Sequence, residues 1–270
     1  MLTDYEAFGL TDDDLDTSSR TIDEPAGPLP AWMLAEPELV PTVFLPGLLN
    51  DAALWRPQID ALAGTVAPFV ADLTLDDTIE AMARRVLASA PSRFALVALS
   101  MGGYVALEIM RQAPERVTRL ALLDTSARPD TPERAAERRA GLASLSRGKF
   151  VGIPRNLLSS LIHASKLNGP IAEELRTMAT RVGGDAFLRQ QRAILGRIDS
   201  RPDLPEIRVP TLIAVGDADQ ITPLRDALEM AELIPGARLH VFSGCGHLPA
   251  LELPDETSSL LSEWLGGTTD

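Results

Sequence analysis

Residues 94–110 constrain the fold more than any other stretch of this chain. They read FALVALSMGGYVALEIM, which is an apolar run, then a serine, then small residues that lead into a helix-forming sequence. The apolar run is too short for a helix and is typical of a buried strand, and the helical pattern resumes without an intervening loop. The stretch therefore predicts a strand, an abrupt turn and a helix, with Ser100 at the turn.

Small residues flank Ser100 where a tight turn leaves little room. Ala98 lies two residues before the serine, and Gly102 lies two residues after it. This arrangement resembles the nucleophile elbow of the α/β-hydrolase family, with Ala98 where the G-x-S-x-G form has its first glycine. The alternative is a buried strand–helix turn whose serine only caps the helix. The resemblance implies that Ser100 is the nucleophile of a hydrolase.

Strand and helix patterns alternate over most of the chain. Strands are predicted at residues 42–45, 66–71, 94–99, 119–123, 211–215 and 238–242. Right-handed crossovers between such strands give a doubly wound, mostly parallel sheet of the α/β class. Residues 128–201 instead have helical patterns, broken by glycine and proline and without a convincing strand. We therefore expect an α/β-hydrolase core over 39–127 and 202–270, and an all-helical lid over 128–201.

The charge of the chain is unevenly distributed. The net charge is −13, yet residues 128–201 contain 14 Lys or Arg against 7 Asp or Glu, which leaves −20 for the remainder. An acidic body lacks the clustered cations that a nucleic acid needs, so we expect no nucleic-acid partner. The basic segment has two interpretations: weak surface ion pairs, or arginines that steer an anionic substrate toward Ser100.

The first 38 residues differ from the rest of the chain. They contain Asp12, Asp13 and Asp14 with several prolines and no sustained hydrophobic period, which predicts a mostly disordered acidic lead over residues 1–38. The start has no signal-peptide pattern, and no apolar run is long enough to span a bilayer. Cys245 is the single cysteine, which fits a reducing compartment. We expect a soluble, cytoplasmic protein with no membrane partner.

A serine nucleophile needs a general base and a group that orients this base. His247 follows the last predicted strand in the sequence GCGHLP, which resembles the family's histidine loop. The sequence GDAD at residues 216–219 is similar to the family's acid loop, which implies that Asp219 orients the histidine. Asp124, at the end of another strand, is the second candidate. The order Ser100, Asp219, His247 is the one expected for this fold.

Acyl transfer also needs N–H groups directed at the developing oxyanion. The N–H of Met101, at the start of the elbow helix, is one candidate. The resemblance implies that the N–H of Leu48 is the other. The family commonly has His-Gly before this donor, and here the pair is Pro46-Gly47. Leu49 and Trp55 are candidate pocket residues, although the helical spacing of Trp55 is also typical of a core residue.

Together these motifs predict a serine hydrolase that cleaves a small carboxylic ester or lactone through an acyl-enzyme. One alternative is carbon–carbon bond hydrolysis or proton abstraction on an anionic substrate by the same triad, and another is a non-catalytic ligand-binding protein of this fold. We expect a small-molecule substrate and leave the oligomeric state open. No cofactor and no metal are expected, because the nucleotide-binding and H-E-x-x-H motifs are absent from the sequence.

Overall fold

The computed structural model describes residues 39–145, 150 and 152–266. The predicted acidic lead over residues 1–38 therefore lies outside the described residues. The same is true of residues 146–149 and 151 within the predicted lid. No helix in the described ranges is long and apolar enough to cross a membrane.

Six parallel strands form one sheet. The strands are β1 Val40–Leu45, β2 Val66–Val70, β3 Phe94–Leu99, β4 Val117–Leu123, β5 Thr211–Gly216 and β6 Arg238–Phe242. Their spatial order is β2-β1-β3-β4-β5-β6, and every neighbouring pair is parallel. The predicted parallel α/β sheet is confirmed. The strand order reverses between β1 and β3, and open parallel sheets bind ligands outside the carboxyl ends of the strands at such a point.

Helices cover both faces of the sheet. They are α1 Arg56–Ala61, α2 Ile79–Ser89, α3 Met101–Gln112, α4 Pro132–Leu145, α5 Arg155–Leu161, α6 Pro170–Leu195, α7 Leu224–Leu233, α8 Pro249–Glu252 and α9 Pro254–Gly266. The described part of residues 128–201 contains α4, α5 and α6 and no strand. Gly183 interrupts α6 with φ 79° and ψ 170°, at the glycine pair where the sequence predicts a break.

The core consists of two apolar layers, one on each face of the sheet. In β1, Val43 and Leu45 belong to one layer and Phe44 to the other, as the alternation of side chains along a strand requires. The central strand β3 is buried along its whole length. This double burial explains why β3 is a continuous apolar run rather than an alternating pattern. The central position of β3 also places Ser100, the residue that follows it, at the middle of the edge formed by the carboxyl ends of the strands.

Candidate active site

Ser100 forms the turn between β3 and α3. Its backbone has φ 54° and ψ −116°, a conformation that is unfavourable for a non-glycine residue and persists only where the surroundings hold it. Adjacent segments do so: the Ser100 N–H donates to the Leu123 carbonyl at 3.0 Å, and the Thr125 hydroxyl donates to the Ser100 carbonyl at 2.7 Å. The elbow predicted from the small flanking residues therefore has the expected strained geometry.

The chain passes close to the elbow at two glycines, Gly102 and Gly47. A Cβ at Gly102 would lie 2.5 Å from the carbonyl oxygen of Leu45, which is backbone and cannot move aside. A Cβ at Gly47 would lie 2.8 Å from Asn50 Oδ1 and 3.4 Å from Ser100 Cβ. The segment after β1, residues 46–51, is called the β1 loop here. It therefore lies directly beside the nucleophile candidate.

Ser100, His247 and Asp219 form a continuous chain of hydrogen bonds. His247 Nε2 lies 2.8 Å from Ser100 Oγ, and His247 Nδ1 lies 2.8 Å from Asp219 Oδ2. All three residues are buried, with Ser100 the most accessible at 8%. They come from the loops after β3, β5 and β6, which meet at the carboxyl edge of the sheet. This geometry allows proton transfer from the serine to a histidine whose tautomer the carboxylate selects.

Further donors surround the Asp219 carboxylate. Its Oδ1 accepts from the N–H groups of Ile221 and Thr222 at 2.7 and 3.1 Å, and its Oδ2 accepts from the Thr222 hydroxyl at 2.7 Å. Burial alone would raise the pKa of Asp219, but the charge of His247 and these hydrogen bonds outweigh it and lower the pKa. The Thr222 hydroxyl therefore supports Asp219, and Pro223 occupies the N-cap position of α7.

Asp124 has a different environment from Asp219. It also has a positive φ, 43°, and its Oδ1 accepts from the Gly216 N–H at 2.9 Å. As a carboxylate, its buried Oδ2 has no hydrogen-bond partner. Burial and the neighbouring charge of Asp219 raise the pKa of Asp124 well above its usual range. A protonated Asp124 beside an ionised Asp219 satisfies both carboxyl groups, and only Asp219 is hydrogen-bonded to the histidine.

Asp124, Asp219 and His247 also form a cluster of metal-ligand types, with ligand atoms within 4.8 Å of one another. In the described structure, both ring nitrogens of His247 are already hydrogen-bonded within the chain from Ser100 to Asp219. A metal at this cluster would have to replace those bonds. The arrangement therefore fits proton transfer better than metal coordination.

Two acidic residues brace the loop that holds His247. Glu252 Oε1 accepts from the N–H groups of Gly246 and Leu248 at 3.1 and 3.2 Å, one on each side of the histidine. Asp217 accepts from the N–H groups of the loop residues Gly244 and Cys245 at 3.0 and 3.2 Å. These bonds give Asp217 a bracing role in the histidine loop. Glu252 is only four to six residues from its two donors, because α8 directly follows the histidine loop.

The two predicted oxyanion donors lie on either side of the strand-order reversal. Leu48 belongs to the β1 loop, and Met101 is the first residue of α3. Within the described ranges neither N–H has an acceptor in the protein. Both groups are therefore free to donate to a bound oxygen.

A cavity of about 410 Å³ opens onto Ser100 and His247. Leu48 and Leu49 line one part of it. The described portion of residues 128–201 supplies much of the remaining wall: Arg134, Glu137, Arg138, Gly141, Leu142, Ile153, Leu157, Leu161, Phe187, Gln191 and Ile194. The prediction of Trp55 as a pocket residue is wrong. Trp55 is fully buried in the core, with its ring centroid 5.5 Å from that of Phe44, because the turn at Ala52–Trp55 directs it under the sheet edge rather than into the cavity.

The chain is similar to known hydrolases in sequence and structure. A pimeloyl-[acyl-carrier protein] methyl ester esterase of Neisseria meningitidis serogroup A is 31% identical over 201 residues, which are 71% of this chain and 63% of that protein. The enzyme of the same name from Nitrosomonas europaea is 30% identical over 79% of this chain and 91% of its own. A thermophilic esterase from Thermogutta terrifontis, solved with malate bound, has a TM-score of 0.76 and 30% identity, covering 84% and 89% of the two chains.

A family model also matches most of the chain. The model of the alpha/beta hydrolase fold matches residues 64–254, a range that contains the elbow, the acid loop and the histidine loop. The family assignment agrees with the six-stranded parallel sheet and with the serine at a strained turn after β3. The chain belongs to the α/β-hydrolase fold family.

Proposed function

We propose that the protein is a serine hydrolase that cleaves a small carboxylic ester or lactone through an acyl-enzyme. The observation that carries this proposal is the hydrogen-bond chain from Ser100 Oγ through His247 to Asp219, with 2.8 Å at each step, beside a cavity that has both apolar and charged lining residues. The relatives named above are esterases, which supports an ester rather than another acyl derivative. In this proposal Ser100, His247 and Asp219 are the catalytic triad.

The geometry supports the following sequence of steps. Ser100 Oγ attacks the carbonyl carbon while its proton moves to His247 Nε2, and Asp219 stabilises the resulting imidazolium through Nδ1–H. The carbonyl oxygen becomes an oxyanion and accepts from the N–H groups of Leu48 and Met101. As the tetrahedral intermediate collapses, the leaving alkoxide takes the proton from His247. Water then attacks the acyl carbon while His247 takes its proton. As this second tetrahedral intermediate collapses, the bond from the acyl carbon to Ser100 Oγ breaks, His247 returns the proton to Oγ, and the acid is released.

The cavity supports a substrate with an apolar acyl part. Leucine, isoleucine and phenylalanine side chains from both the core and the described part of residues 128–201 line it. We propose that residues 128–201 form a lid over this cavity, because the helices of that segment supply much of its wall. Two of the relatives act on a methyl ester by name, which supports a small alcohol leaving group for this chain as well.

Hydrolysis of p-nitrophenyl butyrate and labelling by a fluorophosphonate test the proposal. We expect turnover and stoichiometric labelling of the wild-type protein, and loss of both in Ser100→Ala. The rate should fall roughly 10⁴-fold or more in Ser100→Ala and in His247→Ala, and the double variant should lose little more, because the residues act as a unit. A folded wild-type protein that is labelled but turns over no ester, lactone or thioester would favour the non-catalytic ligand-binding alternative.

A further inference from the structure

Gln190, on α6, connects the helical segment to the backbone of two core loops. Its side chain is fully buried. Its Oε1 accepts from the Leu49 N–H at 3.1 Å, and its Nε2 donates to the Leu73 carbonyl at 3.2 Å. Leu49 lies in the β1 loop, and Leu73 lies in the loop after β2. A single amide side chain therefore ties two loops at the carboxyl edge of the sheet to the same helix.

The bond to Leu49 holds a strained residue. Leu49 has φ 60°, the left-handed region that is unfavourable for a leucine. Such a conformation persists only where contacts over-determine it. Gln190 Oε1 accepts a hydrogen bond from the N–H of Leu49 itself. Loss of that acceptor would leave a buried N–H unsatisfied and would remove a restraint on the β1 loop.

This restraint reaches the predicted oxyanion donor through covalent geometry. The peptide plane before Leu48 carries the Leu48 N–H, and the plane after it carries the Leu49 N–H. The two planar units share the Cα of Leu48, so that only the φ and ψ of Leu48 separate the anchored Leu49 N–H from the donor N–H. Pro46 stands two residues before Leu48, where the family commonly has a histidine, so the side chain that precedes the donor differs here.

We propose that Gln190 is a positioning residue that orients the Leu48 N–H toward the oxyanion. This inference rests on the proposed function. A second contact from α6 supports it: Arg181 Nε donates to Asp51 Oδ2 at 2.6 Å, and its Nη2 donates to Asp51 Oδ1 at 3.0 Å, at the end of the β1 loop. That ion pair is partly exposed and therefore a weaker restraint than the buried amide.

Gln190→Met tests the proposal because methionine is similar in size and makes neither hydrogen bond. The matched control is Gln58→Met, since Gln58 is also fully buried and donates to two main-chain carbonyls, those of Ala250 and Pro254, away from the β1 loop. Both variants should lower Tm. We expect only Gln190→Met to lower kcat, by roughly 10- to 100-fold, with KM within about twofold, because misplacing a donor costs less than deleting it.

A trifluoromethyl ketone inhibitor, which forms an oxyanion on the serine, provides a readout that a purely structural role would not change. Its affinity should fall in parallel with kcat in Gln190→Met and stay unchanged in Gln58→Met. Equal kcat and inhibitor affinity in folded Gln190→Met and wild-type protein would overturn the proposal.

Two further measurements separate this proposal from the proposed function. If the wild-type protein reacts with a fluorophosphonate but hydrolyses no ester, the proposed function fails. In that case, slower labelling of Gln190→Met than of wild type supports the positioning role of Gln190, and an equal labelling rate overturns it. Should Gln190→Met fail to fold, amide hydrogen exchange of the wild-type protein replaces it. Slow exchange of the Leu49 amide together with fast exchange of the Leu48 amide supports the restraint. Fast exchange of the Leu49 amide overturns it.

Discussion

At the scale of single residues, the choice between Asp219 and Asp124 decides how the histidine is oriented. Asp219 accepts from His247 and from three further donors, whereas Asp124 accepts from one backbone N–H. We expect Asp219→Asn to lower kcat/KM roughly 10³- to 10⁴-fold, because an amide at this position favours the wrong tautomer of His247. Asp124→Asn should retain most of the activity. Initial rates on a p-nitrophenyl ester test both variants, and the reverse order would assign the acid role to Asp124.

The raised pKa of Asp124 predicts how the stability of the folded protein changes with pH. Its raised pKa means that the folded protein keeps a proton which the unfolded chain releases above about pH 4. Stability from this residue is therefore present at low pH and declines as pH rises from that value through the folded-state pKa. Asp124→Asn removes the titration and keeps an acceptor for the Gly216 N–H. The Tm of the variant minus the Tm of the wild type should therefore increase from pH 4 to pH 8. Calorimetry at several pH values measures this difference, and a constant difference would contradict the protonated state.

At the scale of elements, the strand–elbow–helix unit of β3 and α3 depends on small residues. Ala98 pairs in register with Leu45 on β1 and Leu122 on β4, and it is fully buried. Ala98→Gly should fold and keep its rate within a few-fold, since glycine only adds freedom. Ala98→Val should lower both Tm and kcat, because two added methyl groups have no space beside the strained turn. Thermal melts and ester hydrolysis check both variants, and a stable, active Ala98→Val would show that the elbow tolerates bulk.

The helix α4 provides a test of substrate steering. Arg128 and Arg138 are paired with Glu229 and Asp130 at 2.7 Å, which leaves less of their charge for a ligand. Arg134 lines the cavity and has no ion pair among the described residues. Arg134→Gln should raise KM for a carboxylate-bearing ester several-fold and leave a neutral ester unchanged.

The control for this test is Arg139→Gln, which removes the same charge from the same helix outside the cavity wall. In the wild type and in Arg139→Gln, kcat/KM for the anionic ester should fall as ionic strength rises, because salt screens the attraction between Arg134 and the carboxylate of the ester. In Arg134→Gln it should not fall. Identical salt curves for anionic and neutral esters would leave the basic residues of this segment with a structural role only.

At the scale of the whole molecule, the described fold begins with β1 and contains all the residues that form the candidate site. The acidic, proline-containing sequence before Pro30 has too little apolar material to add to the core. Deletion of residues 1–28 should therefore change Tm by less than about 2 °C, since a change of 1 kcal/mol shifts Tm by roughly 2–4 °C at this size. A thermal melt of the deletion variant measures this, and a larger decrease would mean that this segment packs against the rest.

The sequence by itself determined the architecture and the chemical class of the site. Strand and helix periods, together with right-handed crossovers, predict a parallel sheet, and the boundaries differ from the structure by only a few residues. The serine at a turn between small residues, and the resemblance of two later loops to the family's acid and histidine loops, predict Ser100, Asp219 and His247, with Asp124 as a second candidate for the acid. This works because carboxyl-end loops of parallel strands must meet at one edge, so topology brings together residues that are far apart in the chain.

Only the tertiary structure decided which residues support that site and which side chains face the cavity. Trp55 has the sequence character of either a core or a pocket residue, and its packing against Phe44 settles the matter. Gln190 carries no recognisable motif, because its role is defined by the backbone groups that its buried side chain reaches across the fold. Gln190 and its acceptor partner Leu49 are separated by 141 positions. Such contacts depend on how the helical segment packs over the sheet, and local sequence pattern does not encode that packing.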